Sequence, residues 1–104
     1  MSTQHSMAIL APSLDAVKGQ LKAELAQIPA VETVCLAHGE AGLYVWVGIR
    51  RDEDTVWQAI ADVEERVAAA HSDASFDFHV VPLSPGRRLE DYVSVGQQIF
   101  HRAA

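Results

Sequence analysis

The stretch from Gly42 to Arg50 constrains the fold more than any other part of this chain. Aliphatic side chains recur at every second position: Leu43, Val45, Val47 and Ile49. Because successive residues of a β-strand point to opposite faces, this alternation predicts a strand with one core-facing side. The other side carries Tyr44 and Trp46, and two large aromatics are more than a solvated face needs. We expect them to be covered by the C-terminal segment, by a second copy of the chain or by a ligand.

A first helix is predicted upstream of this strand. Aliphatic residues recur three or four positions apart behind Pro12 and Ser13, a pair typical of a helix start, and Pro29 ends the pattern. The stripe consists of Leu14, Val17, Leu21, Leu25 and Ile28. Gly19 costs helix stability relative to alanine, so we expect it to mark a close packing point.

A second helix is predicted after the aromatic strand. The acidic residues 52–54 suit the positive end of a helix dipole. Thr55 and Gln58 have the spacing of a capping box. The stripe that follows consists of Val56, Ile60, Val63 and Val67.

Two more strands complete the predicted sheet. Residues 31–37 form a strand that pairs with residues 42–50 in a hairpin, because the turn at 38–42 contains two glycines. Residues 75–81 form a third strand, with Phe76, Phe78 and Val80 on one face and Asp77, His79 and Val81 on the other. Residues 87–102 fit either a helix or an edge strand. The order α-β-β-α-β plus this C-terminal piece predicts an α+β fold, a two-layer α/β sandwich with both helices on the aliphatic face.

Length and charge narrow the class of protein. A chain of 104 residues predicts one α/β domain, residues 12–104, behind a flexible tail of residues 1–11. A formal net charge of −6 argues against nucleic acid as a partner, since nucleic-acid binders carry basic patches. The single cysteine, Cys35, excludes an internal disulfide, and no stretch approaches the ~18 apolar residues of a membrane span. We expect a cytoplasmic protein without membrane contact.

Asp77 and His79 are the strongest candidates for a chemical site. They lie two positions apart and so share a strand face, where a carboxylate can orient an imidazole or the two can bind a divalent ion such as zinc. A third ligand would have to come from His38, His71 or His101. The alternative is a packed or hydrogen-bonded pair without metal, and we expect no cofactor.

Catalytic signatures are missing from the sequence. Cys35 and His38 are an odd number of positions apart, which puts them on opposite faces of a strand and argues against a nucleophile pair. The sequence has no Gly-rich phosphate loop, no Gly-x-Ser-x-Gly elbow and no His-Glu-x-x-His pair. These observations favour a binding role over catalysis.

Three short segments stand at matching points of the element order over residues 13–81. They are Ile28-Pro-Ala-Val31, Asp62-Val-Glu-Glu-Arg-Val67 and Phe78-His-Val-Val-Pro82. Together they resemble the cytoplasmic C-terminal domain of cation diffusion facilitator metal transporters. The resemblance implies a ferredoxin-like domain that dimerises and can bind zinc. Only His79 falls on one of that family's metal positions, and the others are Val, Gly or Trp here, so the resemblance implies dimerisation more strongly than metal binding.

A second resemblance covers residues 14–102. Phe76-Asp-Phe78 and Gly96-Gln-Gln-Ile-Phe100 look like the third strand and the closing segment of the small nucleotidyltransferase fold. Active members of that family carry a Gly-Ser turn and an Asp-x-Asp pair for two metal ions. In this chain Gly39-Glu40 replaces the turn, and Tyr44 and Trp46 occupy the carboxylate positions. The resemblance therefore implies a catalytically inactive relative.

Taken together, these patterns predict a non-enzymatic domain that forms a homodimer or binds a partner protein through the sheet face without helices. The expected anchors of that interface are Tyr44, Trp46, His79 and Val81, with Phe100 contributing from the C-terminal segment. Aromatic anchors in a dry centre usually dominate such interfaces. The alternative is a regulatory domain that binds a small molecule or a divalent metal.

Overall fold

The computed structural model describes residues 2–40, 42–93 and 96–102, and of residues 2–13 the backbone alone. The elements are α1 (Ser2–Leu25), β1 (Val31–Gly39), β2 (Gly42–Ile49), α2 (Asp54–Ala70), β3 (Phe76–Pro82) and β4 (Gln97–His101), with a 3₁₀ helix at Leu89–Asp91. The C-terminal stretch, which fits either a helix or an edge strand by sequence, thus holds a short helical turn followed by a strand. The order α-β-β-α-β plus an edge strand is confirmed.

The four strands form one mixed sheet in the order β3-β2-β1-β4. β1 pairs antiparallel with β2 and with β4, whereas β2 and β3 run parallel. A parallel pair requires a crossover connection, and α2 supplies it. β3 and β4 are therefore the two edges of the sheet.

Both helices pack on one face of this sheet, where α1 contacts β1 and β4 while α2 contacts β3. The predicted stripes are buried there: Val17, Leu21, Leu25, Val56, Ile60, Val63 and Val67, with Leu14 and Ile28 partly buried beside them. The sheet adds Val31, Val34, Leu36, Leu43, Val45, Val47 and Ile49 to the same core. Burial of this aliphatic surface is the main stabilising term, and the two-layer sandwich is confirmed.

The β1–β2 hairpin closes between Gly39 and Gly42, its last paired residues. Gly42 has a φ of 139°, which the turn pattern predicts and which glycine adopts without a steric cost. Gly39 is needed for a different reason, because a Cβ there would collide with the Tyr44 ring. Bare backbone at Gly39 therefore gives Tyr44 a surface on which to lie.

The predicted start of α1 is wrong. The helix begins at Ser2 rather than at Pro12 and Ser13, so helical backbone runs through the residues predicted as a tail. Met, Ala and Leu at residues 7–11 are good helix formers, and the helix continues through Pro12 instead of beginning there. Flexibility of residues 1–11 stays a prediction. Gly19 is exposed with no atom near its missing Cβ, so the predicted close packing there is wrong as well.

The predicted cap of α2 is also wrong. The helix begins at Asp54 behind Glu53, which makes no side-chain cap. Thr55 is already helical and so cannot adopt the extended backbone of an N-cap residue. Gln58 donates instead to Asp62 Oδ1 at 3.1 Å, one turn further along.

Arg102 ties the end of β4 to the end of α1. Its guanidinium donates to the carbonyl oxygens of Ala26 at 2.7 Å and Val31 at 3.0 Å. A longer bond of 3.3 Å reaches Ile28, and the same group lies 5.2 Å above the Phe100 ring. Cations at this end of a helix satisfy carbonyl groups that have no partner within the helix.

Candidate functional site on the open face

Strand register orders the face opposite the helices into rows. The rows are Asp77, Tyr44 and Ala37; His79, Trp46, Cys35 and Gln98; and Val81, Gly48, Thr33 and His101. We call this surface the open face. It brings together four predicted interface residues, Tyr44, Trp46, His79 and Val81, and the candidate pair of Asp77 with His79.

Trp46 and His79 stack at the centre of the open face. Their ring centroids are 4.2 Å apart with an angle of 18° between the planes. His79 Nε2 lies 3.0 Å from Asp77 Oδ2, and the Tyr44 ring is tilted against His79 at 6.4 Å. The side chains of His79 and Asp77 remain 38% and 58% exposed, whereas Tyr44 and Trp46 are half-buried. The indole thus supports one side of a hydrogen-bonded pair that solvent still reaches.

The indole nitrogen of Trp46 is buried and has no hydrogen-bond acceptor among the residues that the structure describes. A buried donor without a partner costs about 1–3 kcal/mol, and native structures keep few of them. The second tryptophan, Trp57, donates from Nε1 to Asp52 Oδ1 at 2.6 Å. Trp46 Nε1 is thus a donor whose hydrogen bond is not made within the described structure.

One end of the open face is covered by the chain itself, through residues 83–93. Leu83 is buried and packs where a Gly48 side chain would lie, and Leu89 is buried in the 3₁₀ helix. This 83–93 segment is held by Arg50, which donates to the carbonyl oxygens of Ser84 at 2.9 Å and Arg87 at 2.7 Å. Leu83 thus covers Gly48, whereas Val81, Tyr44 and Trp46 are half-buried.

Arg50 is itself held in place by Glu32. Its Nε and Nη2 donate to the two carboxylate oxygens of Glu32, each at 2.8 Å. Glu32 occupies a register shift in β1 between Val31 and Thr33, which turns its side chain toward Arg50. The bulge therefore positions Glu32, which orients Arg50 toward the backbone of the 83–93 segment.

Cys35 lies in the same row as Trp46 and is half-buried. Burial, and then the negative charge of Glu90, raise the pKa of the Cys35 thiol above its ordinary value. The thiolate is the nucleophilic form of cysteine, so this environment keeps Cys35 unreactive at neutral pH.

Phe100, predicted to contribute to the interface from the C-terminal segment, does not lie on the open face. A register shift in the β1–β4 pairing leaves Ile99 without an opposite residue, and Phe100 stands opposite Val34. Phe100 packs against the helix-side core instead. The alternation of side chains cannot be followed through a bulge, which no pattern in the sequence announces.

No third ligand joins Asp77 and His79 within the described residues, which contain no group of three His, Cys, Asp or Glu side chains that could hold a metal ion. His101 Nδ1 lies 3.0 Å from Thr33 Oγ1, and His71 Nε2 lies 2.9 Å from Gln20 Oε1. His38 is paired with Leu43 in the hairpin, a core-side position. The arrangement suits a hydrogen-bonded pair better than a zinc site.

Sequence patterns overlooked the residues that cover the open face. Leu83 follows Pro82, and Leu89 follows two arginines, so neither belongs to a periodic pattern. Two features of the sequence could have indicated this cover. One is the pair of isolated leucines in a polar stretch, and the other is Gly48, a residue of β2 without a side chain on the open face. A bare position on a strand often accommodates a group that approaches from outside.

No protein-family model, curated protein or solved structure matches this chain. The two resemblances drawn from the sequence therefore stay predictions. None of the described helices is both long enough and apolar enough to cross a bilayer. Function is thus argued from the geometry of the open face.

Proposed function

We propose that this chain is a non-enzymatic association domain whose open face binds a second copy or a partner protein. The observation that carries the proposal is the Trp46–His79 stack, with an indole N–H that lacks an acceptor among the described residues. The helices pack on the other face, and Leu83 of the 83–93 segment covers Gly48, while Tyr44 and Trp46 are half-buried. A large aromatic with one unmet hydrogen bond is a common anchor of protein interfaces.

The surroundings of the stack have the composition of an interface. Tyr44, Trp46 and Val81 provide a half-buried apolar centre. Asp77 and Gln98 are exposed at its margins, where polar groups can bond a partner without complete loss of water. A face of this kind gives specificity by hydrogen bonds at the rim and affinity by the aromatic centre.

The chain offers a matched control for testing the proposal. Trp46 and Trp57 are its two tryptophans, and Trp57 is 41% exposed on α2, in the helix layer. We expect Trp46→Ala to weaken association by about tenfold or more and Trp57→Ala to leave it unchanged, as measured by sedimentation velocity and native mass spectrometry.

Equal association of the parent and Trp46→Ala would refute a role for the open face. A parent that stays monomeric at every concentration would exclude self-association. The partner-protein form would then be tested with the same two variants, because only Trp46→Ala should lose the partner.

A further inference from the structure

The edge of β3 borders the open face, and its outward backbone groups have no partner among the described residues. The ladder with β2 begins where Leu43 N–H donates to the Ser75 carbonyl and ends where Leu83 N–H donates to the Ile49 carbonyl, at 2.9 and 2.8 Å. In a parallel pair the backbone groups of alternate residues point to alternate sides. Odd-numbered residues of β3 therefore bond β2, and Phe76, Phe78 and Val80 direct their N–H and C=O groups outward.

The side chains of this edge are incompletely buried. Phe76, Phe78 and Val80 pack against the core but are only half-buried, whereas the core-facing residues of β2 are fully buried. The Phe76 and Phe78 rings lie 6.5 Å apart. Such an edge offers both unpaired backbone groups and apolar area to another strand.

We propose that a second copy of this chain pairs its β3 antiparallel with this β3, about a two-fold axis at Phe78. The four-stranded sheets of the two copies then join into one continuous sheet with a continuous open face. Phe78 exchanges hydrogen bonds with its own counterpart, and Phe76 exchanges them with Val80 of the second copy. Asp77 then lies opposite His79 of the second copy, so that each copy supplies the acceptor for the other's imidazole.

Charge and proline placement select this register. Moving the axis toward Asp77 would set the two Asp77 carboxylates opposite one another, and like charges directly opposite destabilise a strand pair. Moving it toward His79 would bring Pro82, which has no N–H, opposite Phe76 and would lose a bond there. With the axis at Phe78 neither conflict arises, and Asp77 and His79, already 3.0 Å apart within one copy, also complement each other between copies.

This inference rests on the proposed self-association but places the contact at the β3 edge rather than over the rings of Tyr44 and Trp46, and its test separates the two. Val80→Pro removes an outward N–H while sparing the ladder with β2, and prolines are tolerated at such edge positions. Two intermolecular hydrogen bonds are lost per dimer, so we expect the dimer to weaken by about tenfold to hundredfold. Sedimentation of parent and variant from about 1 to about 100 μM measures the change, with circular dichroism to verify the fold.

Amide hydrogen exchange of the parent gives a test that needs no variant. The amides of Phe76, Phe78 and Val80 should be protected only at concentrations at which the dimer is populated. The amides of Asp77, His79 and Val81 bond β2 and should be protected at all concentrations. A dimer in which the three outward amides exchange equally fast at every concentration would overturn the inference, while leaving association through the face intact.

The register is tested by two matched variants that keep His79. Asp77→Lys places a positive charge opposite the imidazole of His79 in the second copy and should weaken the dimer, whereas Asp77→Glu keeps the complementary carboxylate and should retain it. An unchanged dimer in Asp77→Lys would refute this register, and a monomeric parent would refute the inference together with self-association.

Discussion

The two edges of the sheet differ in how much of their bonding capacity the chain uses. β4 has five residues, carries a bulge at Ile99 and is tied to α1 by Arg102 and by a bond from Lys18 Nζ to Gln97 Oε1 of 3.1 Å. β3 has seven residues in regular register with β2, and its outward edge has no strand beside it in the described structure. Shortness, bulges and covering contacts are the usual protection of an edge against further pairing.

The contrast assigns different roles to the two halves of the sheet. Contacts at β4 are made within the chain, so changes there should alter stability without altering association. The outward backbone groups of β3 have no partner in the described structure, so changes at this edge should alter association as well as stability. Substitutions at matched positions of the two edges can therefore confirm or break the comparison.

Arg102→Ala should give the largest loss of stability. The substitution removes charge-assisted bonds to the carbonyl groups of Ala26, just after α1, and Val31, at the start of β1, and the contact with the Phe100 ring. Bonds of this kind to partly buried groups support an expected loss of about 3 kcal/mol in the free energy of unfolding, measured by urea denaturation. Association per folded molecule should not change.

Arg51→Ala is the control for this substitution. Arg51 is exposed and lies 3.8 Å from Glu53, so its removal should change stability by less than about 0.5 kcal/mol. Cys35 offers a local measure, because β4 pairs with β1 beside it. Loosening of β4 in Arg102→Ala should speed thiol labelling of Cys35, and an unchanged labelling rate would show that Arg102 does not hold this edge.

Phe78 and Phe100 form a matched pair, one on each edge, and both pack half-buried against the core. Replacing either by alanine should cost about 2–3 kcal/mol of stability, less than for a fully buried phenylalanine. Only Phe78→Ala should also weaken association, because its ring and backbone lie at the unprotected edge. Denaturation and sedimentation on the same samples separate the two effects, and an equal loss of association in both variants would break the comparison.

The sequence predicts the elements whose buried residues follow simple periodicity. Alternation from Leu43 to Ile49, and spacings of three and four from Val56 to Val67, mark which residues are buried, because burial on one face repeats with the element's own period. The same alternation places Asp77 with His79 and Tyr44 with Trp46 on one face. Register then brings these two pairs together, which requires only that β2 and β3 run parallel.

The position of Phe100 and the course of residues 83–93 were not predictable from periodicity, because bulges and irregular contacts determine them. The register shift at Ile99 turns Phe100 to the core, and residues 83–93 are ordered by Arg50, whose partners are backbone carbonyls without a sequence signature. The unmet N–H of Trp46 likewise depends on what surrounds one atom. Each of these features arises from contacts between residues far apart in the chain.

Glu24→Gln should have the smallest effect, and it tests the link between the helices above the two edges. Glu24 of α1 accepts from Arg66 Nε of α2 at 2.6 Å and from Gln20 Nε2 at 2.7 Å. These bonds, that from Arg66 first, hold the pKa of Glu24 below its ordinary value of 4.5. Ionised Glu24 therefore stabilises the fold above that ordinary value, and this contribution is lost as the pH falls through the folded-state pKa.

Arg66 is largely exposed, so solvent screens the ion pair and the loss in Glu24→Gln at pH 7 should be below about 1 kcal/mol. The difference in unfolding free energy between parent and variant should shrink as the pH falls through the folded-state pKa of Glu24. Glu65→Gln, at an exposed carboxylate of α2, is the control and should change the unfolding free energy at pH 7 by less than about 0.5 kcal/mol. A parent–variant difference for Glu24→Gln that grew on acidification would mean that this carboxylate is not ionised in the folded chain. The link between the two helices would then consist of their apolar packing and the bond between Gln20 and His71, without an ion pair at Glu24.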